Sequence, residues 1–228
     1  MKAFIITGMI SLGLMCCCCM LQAQQQHTQR MRVKKVTIND RFWKPKMQLW
    51  AFKTINDVFN KFEGKYKTDV EEQTKNNAFL NFDDVAKGKI NTGKHAGFPW
   101  FDGLVYETIR GASDYLKHIP DPKLESRIDH YIDAIERAQN VRPDHYINTY
   151  TQLVEPGHEW GGNGGFLRWQ HDVYNAGMLV EAGVHYYKAT GKIKLLSVAV
   201  KMANLMANTM GAAPKKILSP HMPVPKKP

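Results

Sequence analysis

The sequence predicts a mainly α protein built from helical hairpins, with one short strand near its N-terminus. Three observations carry that reading: apolar residues at helical spacing, stop signals placed after them, and self-similarity at a fixed interval. The interval is 72 residues, which lays Tyr115 on Tyr187, Leu124 on Leu196, Ile128 on Val200 and Ile135 on Ala207. Several matches in corresponding positions mark a repeated helix-turn-helix unit, the raw material of a helical toroid or solenoid.

The first residues set the expected compartment. Met1-Lys2 gives a positive start, Ala3 to Leu21 contains no charge, and Ala23 precedes the polar run Gln24-Gln25-Gln26-His27. This pattern describes a cleaved secretory signal over residues 1–23, and the expected location is periplasmic or extracellular. A retained anchor is the alternative, because the apolar run approaches the length of a span. The polar end at Leu21-Gln22-Ala23 and the short n-region favour cleavage, with no stable membrane insertion afterwards. A lipoprotein reading meets Met15, not a small residue, just before Cys16. All four cysteines, Cys16 to Cys19, lie inside this segment. Cleavage therefore leaves a mature chain without disulfides, thiolate metal sites or a cysteine nucleophile.

Residues 24–31 read as a polar leader, and Val33, Val36 and Ile38 as the strand, ending at Asn39-Asp40. From Met47 to Phe62, the residues Leu49, Phe52, Ile55, Val58, Phe59 and Phe62 recur at helical spacing, and Gly64 stops the run. Residues 65–99 are less regular, with a short helix around Ala78 to Ala86 and a loop through Asn91-Thr92-Gly93. Asp102 to Leu116 opens the first hairpin. Asp121-Pro122 starts its second helix, Asp suiting the N-cap and Pro the first helical position. Leu124, Ile128, Ile132, Ile135 and Ala138 share one face of that helix. His171 to Lys188 opens the second hairpin and stops near Gly191. Leu195, Val198, Ala199, Met202, Leu205 and Met206 form its partner, with Gly211 after it.

About 200 mature residues suffice for one domain with a real core. The formal net charge of +10 raises the question of an anionic partner. The lysines are scattered and no arginine-rich face appears, so nucleic acid is not the expected partner.

Between the hairpins lies a long loop, Arg142 to Leu167, rich in Gly, Pro and aromatics, of the kind that often carries function. The loop and its flanks hold Trp100, Phe101, Asp102, Tyr146, Asn148, Tyr150, Glu155, His158, Glu159, Trp160, Arg168, Trp169, His171 and Asp172. Sugar recognition needs flat apolar faces that stack on C–H surfaces, and short polar side chains that bind hydroxyls in pairs; this inventory supplies both. Each residue also has a plainer explanation, Trp169 as a core anchor and Asp102 as a helix cap. His158, Glu159 and His171 match no HExxH helix, so a metal site is not supported. Gly161-Gly162-Asn163-Gly164-Gly165 lacks a following GKS or GKT and a preceding strand, which disfavours a phosphate cradle. Asp102, Glu107, Glu155, Glu159 and Asp172 are available for a carboxylate pair, whose separation the sequence leaves open.

The runs FPWFDGLVYETIRGASDYL (98–116), NTYTQL (148–153) and RWQHDVYNAGMLVEAGVHYYKATGKIKLL (168–196) resemble glycoside hydrolase family 127, typified by β-L-arabinofuranosidases. The similarity runs from about Val33 to Lys216. It implies a partial (α/α)6 barrel over residues 32–216 and action on plant-type glycans, with an oligosaccharide or polysaccharide as partner. It implies that His171, in HDVYNAG, contacts the sugar, with Asp102 near the same mouth. Trp100, Asn148 and Trp169 complete the expected substrate-binding set.

The family's cysteine nucleophile, its zinc held by cysteines and a glutamate, and its glutamate acid/base match nothing in this chain. The expectation is therefore no catalytic residue, no metal site and no cofactor within it. The tail, residues 217–228, departs as well. One plausible codon string for Ile-Leu-Ser-Pro-His-Met-Pro-Val-Pro-Lys-Lys reads, shifted by one base, Asn-Thr-Ile-Pro-Ala-His-Ala-Arg-Pro-Glu-Glu, which is family-like. A frameshift after Lys216 is the expectation, and a natural Pro-Lys tail the alternative. Three readings stay open: a hydrolase by descent, truncated and inactive as given; a carbohydrate-binding remnant; and an unstable fragment. A polysaccharide lyase on a similar helical toroid is the alternative enzyme class.

Overall fold

The computed structural model describes residues 37–66, 77–212 and 214–215. The helices lie in one compact unit beginning at Asn39. In chain order they are α1 (Trp43–Leu49), a π-helical turn (Trp50–Thr54), α2 (Ile55–Phe62), α3 (Ala78–Ala86), α4 (Phe101–Leu116), α5 (Pro122–Gln139), α6 (Thr149–Val154), a 3-10 stretch (Glu159–Gly164), α7 (Leu167–Gln170), α8 (Asp172–Thr190) and α9 (Lys194–Thr209). The signal segment, the polar leader, the tail and most of the expected strand lie outside the described residues, and Ile38 sits in irregular backbone.

The caps follow the sequence chemistry. Asp121 accepts from the backbone N–H of Lys123 at 3.0 Å and of Leu124 at 3.1 Å, with Pro122 at the first helical position. That satisfies donors the helix start leaves orphaned. Gly191 ends α8 with φ 76°, a left-handed cap that favours glycine.

The two hairpins, α4–α5 and α8–α9, stack side by side. Pairs across α4 and α8 rise together in number: Gly103 N–H to Asn175 Oδ1, Arg110 to Glu181, Asp114 to His185. So do pairs that join α5 and its C-cap Asn140 to α9 and the turn before it: Asp129 with Lys192, Asp133 with Lys194, Asn140 with Lys201. Each helix therefore runs parallel to its counterpart in the next hairpin. Second helices begin at Pro122 and Lys194, the 72-residue step of the sequence repeat.

The core follows the apolar spacing. Ile128, Ile132 and Ile135 of α5 are at most 1% exposed, as are Val198 and Met202 of α9. Each such side chain contributes about 1.5–3 kcal/mol through burial. The α4–α8 contact is close because Gly103 has no side chain: a Cβ there would lie 2.4 Å from the Tyr174 ring. Arg127 ties α5 to α2 through Glu63 at 2.7 Å and Asn60 at 2.7 Å.

Two expectations are corrected. Leu49 and Phe52 do not join the core face of their helix; they are 55% and 48% exposed, while Ile55, Phe59 and Phe62 are buried. The π-helical turn adds a residue to the repeat and rotates the preceding residues off that face. The stretch Arg142 to Leu167 is also more than a loop. It contains α6, capped by Asn148, and it buries Tyr146, Ile147, Leu153 and Trp160 in the core.

Candidate functional site

Three helix starts converge at one end of the unit: α4 after Trp100, α6 after Asn148 and α8 after His171. Helix N-termini carry partial positive charge and unpaired N–H groups, so carboxylates belong there. Asp102, in the first turn of α4, accepts from the Thr149 backbone N–H at 2.7 Å and from its hydroxyl at 2.6 Å. Asp172, opening α8, accepts from the Tyr146 hydroxyl, from Asn148 Nδ2 at 2.9 Å and from the Trp160 N–H at 3.1 Å.

Burial pushes both carboxyls up to about 6, against the hydrogen bonds that hold the charged forms. Asn148 is fully engaged: its side chain caps α6 through Thr151 N–H, donates to the Gln170 carbonyl at 2.8 Å and donates to Asp172. Thr149 also lies 3.0 Å from His95 Nε2. His95 Nδ1 donates to the Gly97 carbonyl at 3.0 Å, and Asn81 Nδ2 lies 3.0 Å from His95 Nε2. Burial holds His95 down to about 4, so the ring is neutral at pH 7.

Above this polar layer sits an aromatic surface. The Trp100 ring stacks on Phe98 at 4.6 Å and 3°, meets Trp169 edge-on at 6.1 Å, and lies 5.0 Å from the His171 ring. Trp169 is 43% exposed and donates its indole N–H to the Tyr150 hydroxyl at 2.9 Å. Tyr150 in turn donates to Glu155 at 3.2 Å. His171 occupies a left-handed conformation, φ 56° and ψ 25°, at the junction of α7 and α8. A non-glycine residue there is uncommon and draws attention to the position. Its Nδ1 is 2.8 Å from the Trp169 carbonyl. A carbonyl only accepts, so Nδ1 donates this hydrogen bond.

Of the five expected substrate-binding residues, Trp100, Trp169 and His171 meet at this partly exposed surface. Asp102 and Asn148 stand behind it, each 0% exposed and wholly engaged with protein groups. His95 escaped the sequence reading, its local signal being a histidine set among turn residues before FPW, while Phe98 and Thr149 lie in the quoted runs 98–116 and 148–153 without having been singled out as site residues.

The other motifs resolve locally. His158 lies 3.5 Å from Glu155 and Glu159 pairs with Arg142, while His171 faces the Trp169 carbonyl. Among the described residues no group of three or more His, Cys, Asp or Glu is placed to hold a metal ion. The glycine run turns the chain around Trp160, whose own φ is 55° and whose N–H reaches Asp172. No described helix is long and apolar enough to cross a membrane.

A family model described as "Beta-L-arabinofuranosidase, GH127 catalytic domain" matches residues 35–223. A non-reducing end β-L-arabinofuranosidase of Bifidobacterium longum subsp. longum is 29% identical over 192 residues, 80% of this chain and 28% of that protein. A GH127 β-L-arabinofuranosidase from Geobacillus stearothermophilus T6 superposes with a TM-score of 0.69 at 29% identity, covering 80% of this chain and 27% of that one. A second GH127 β-arabinofuranosidase structure gives a TM-score of 0.68 at 32% identity, covering 82% and 28%. This chain thus spans little more than a quarter of the length of the relatives it matches. With the helical hairpins, the converging helix starts and a match over most of its length, the chain belongs to glycoside hydrolase family 127, within the catalytic domain.

Proposed function

We propose that this chain carries a sugar-recognition end of a β-L-arabinofuranosidase-like catalytic domain and holds an arabinofuranosyl residue of a plant-type glycan on the Trp100–Trp169–His171 surface. The observation that carries the reading is the meeting of two indoles and one imidazole above three converging helix starts. Indole faces stack on the C–H side of a sugar ring. With Nδ1 held by the Trp169 carbonyl, His171 Nε2 is left to hydrogen-bond a sugar hydroxyl. The Trp169 indole N–H is engaged by Tyr150, which fixes the ring plane and leaves its face for stacking.

Hydrolysis of arabinofuranosyl linkages is proposed for the domain as a whole, and binding is the step assigned to the residues described. Export through cleavage near Ala23 is part of the same proposal, and the N-terminal sequence of secreted protein tests it.

Titration of the purified chain with β-L-arabinofuranosyl disaccharide, followed by tryptophan fluorescence and calorimetry, tests the binding. Saturable binding lost in Trp100→Ala and His171→Ala supports the reading. Absence of binding by a folded chain, or binding unchanged in both variants, rejects it.

A further inference from the structure

His95 touches neither face of the aromatic surface, yet it reaches both of its indoles. On one side it acts through its own turn. His95 Nδ1 donates to the Gly97 carbonyl at 3.0 Å, and the next ring, Phe98, stacks on Trp100. The turn is tight, since Gly97 has φ 92° and a Cβ there would lie 2.1 Å from the Phe101 ring. On the other side it acts through α6. The His95 ring meets Tyr150 edge-on, with centroids 5.4 Å apart at 82°, and the Tyr150 hydroxyl accepts the Trp169 indole N–H. One imidazole therefore stands behind both rings whose edge-on meeting, at 6.1 Å, makes the surface.

The hydrogen bonds also dictate which form of the imidazole fits. Asn81 of α3 is 2% exposed and pairs twice with the Ala96 backbone. Its Oδ1 accepts from the Ala96 N–H at 2.8 Å, and its Nδ2 donates to the Ala96 carbonyl at 3.0 Å. That double pairing fixes which end of the amide is nitrogen. The second Nδ2 proton is left for His95 Nε2, 3.0 Å away, so Nε2 accepts. A proton on Nε2 would set donor against donor. The charged ring would turn to the Thr149 hydroxyl oxygen, 3.0 Å from Nε2, and displace Asn81 from the turn. The titratable groups facing the ring are Tyr150 on α6 and, across Thr149, Asp102 on α4, while α3 presents the neutral Asn81 and the adjacent Lys94 is exposed. Burial, which holds His95 down to about 4, acts in the same sense.

We propose that His95 is a positioning residue for the sugar surface: its neutral imidazole, keyed by Asn81, sets the Trp100 and Trp169 rings, and a proton on Nε2 releases them. The purpose of the device rests on the sugar-binding reading above, whereas the ring geometry can be measured without sugar.

Near-ultraviolet circular dichroism of the sugar-free full chain reads the paired indoles, and ring-nitrogen NMR of the same sample reads His95, as pH falls from 6.5 through 4. The indole signal should step at the pH where His95 takes its proton. His95→Gln carries an acceptor toward the place of Nε2 but no titrating proton, so it should keep the signal of the neutral parent and lack the step. In arabinofuranoside titrations His95→Ala should bind at least about tenfold more weakly, and His95→Gln should recover most of that loss, with helical circular dichroism retained in both. Three results overturn the proposal: an indole signal unchanged while His95 titrates, a step at that pH that survives in His95→Gln, or equal affinity losses in the two variants. Should His95→Ala not fold, the parent titration and His95→Gln still decide. A parent that binds no sugar rejects the sugar-binding reading, and the indole titration then judges the positioning role by itself.

Discussion

The two layers of the site contrast sharply. The lower layer, Asp102, Asn148, Thr149 and Asp172, is closed to solvent, and its hydrogen bonds run between helix starts far apart in sequence. The upper layer, Trp100, Trp169 and His171, is partly open and held by ring contacts and two hydrogen bonds. The difference teaches that the carboxylates fix where the helices begin, while the aromatics are the part of the proposed site left open to solvent. Changes below should register as stability, and changes above as affinity.

The largest effect is expected from Asp172→Ala. Tyr146, Asn148 and Trp160 would each lose a buried acceptor, at about 1–3 kcal/mol per orphaned donor. Denaturant unfolding should show a loss of about 3 kcal/mol or more, and a loss under about 1 kcal/mol would mean that solvent reaches the layer. Next comes a pair of substitutions on one helix. Gly103→Ala places a Cβ 2.4 Å from the Tyr174 ring and should cost about 1–3 kcal/mol. Gly111→Ala meets nothing within 4 Å and should stabilise by about 0.5–1 kcal/mol through helix propensity. Equal effects at the two positions would contradict the close α4–α8 seam.

The lower layer also titrates. Asp102 and Asp172 are raised from 3.8 to about 6, so the folded state holds their protons more tightly than the unfolded state. Their contribution is fully present below 3.8 and lost as pH rises through about 6. His95 runs the other way, lowered from 6.5 to about 4; its contribution is present above 6.5 and lost as pH falls through about 4. A His95→Gln variant should therefore gain melting temperature relative to the parent on acidification from 6.5 to 4. A constant gap between the two proteins across that range would show that His95 titrates normally.

Smaller effects belong to the upper layer and the outer surface. Trp169→Ala should remove about 1–2 kcal/mol of arabinofuranoside affinity while unfolding shifts by less than about 1 kcal/mol, read by calorimetry and denaturation on the same sample. Arg110→Ala breaks a solvent-facing pair with Glu181 at 2.7 Å and should change stability by under about 1 kcal/mol. It is the control that separates surface charge from the buried layer.

The helices themselves were legible in the sequence. The α3 bounds Ala78–Ala86 and the α5 start at Asp121-Pro122 follow from local rules, apolar spacing and cap chemistry acting within one or two turns. The 72-residue repeat likewise announced which helices would be equivalent. The loop 142–167 was harder, because its short helix is held by Asn148 and by Asp102, 47 residues distant from Thr149. No local pattern encodes a partner that far away.

What the sequence alone determined is the alternation of helix and stop, the family motifs and the residue types at the site, since each is a property of neighbours along the chain. What only the tertiary structure decided is the sorting of those residues into two layers. Asp102 and Trp100 are two positions apart, yet one is 0% exposed beneath Thr149 and the other faces His171. That division is set by which helix start lands on which, and burial and hydrogen-bond supply follow from the landing.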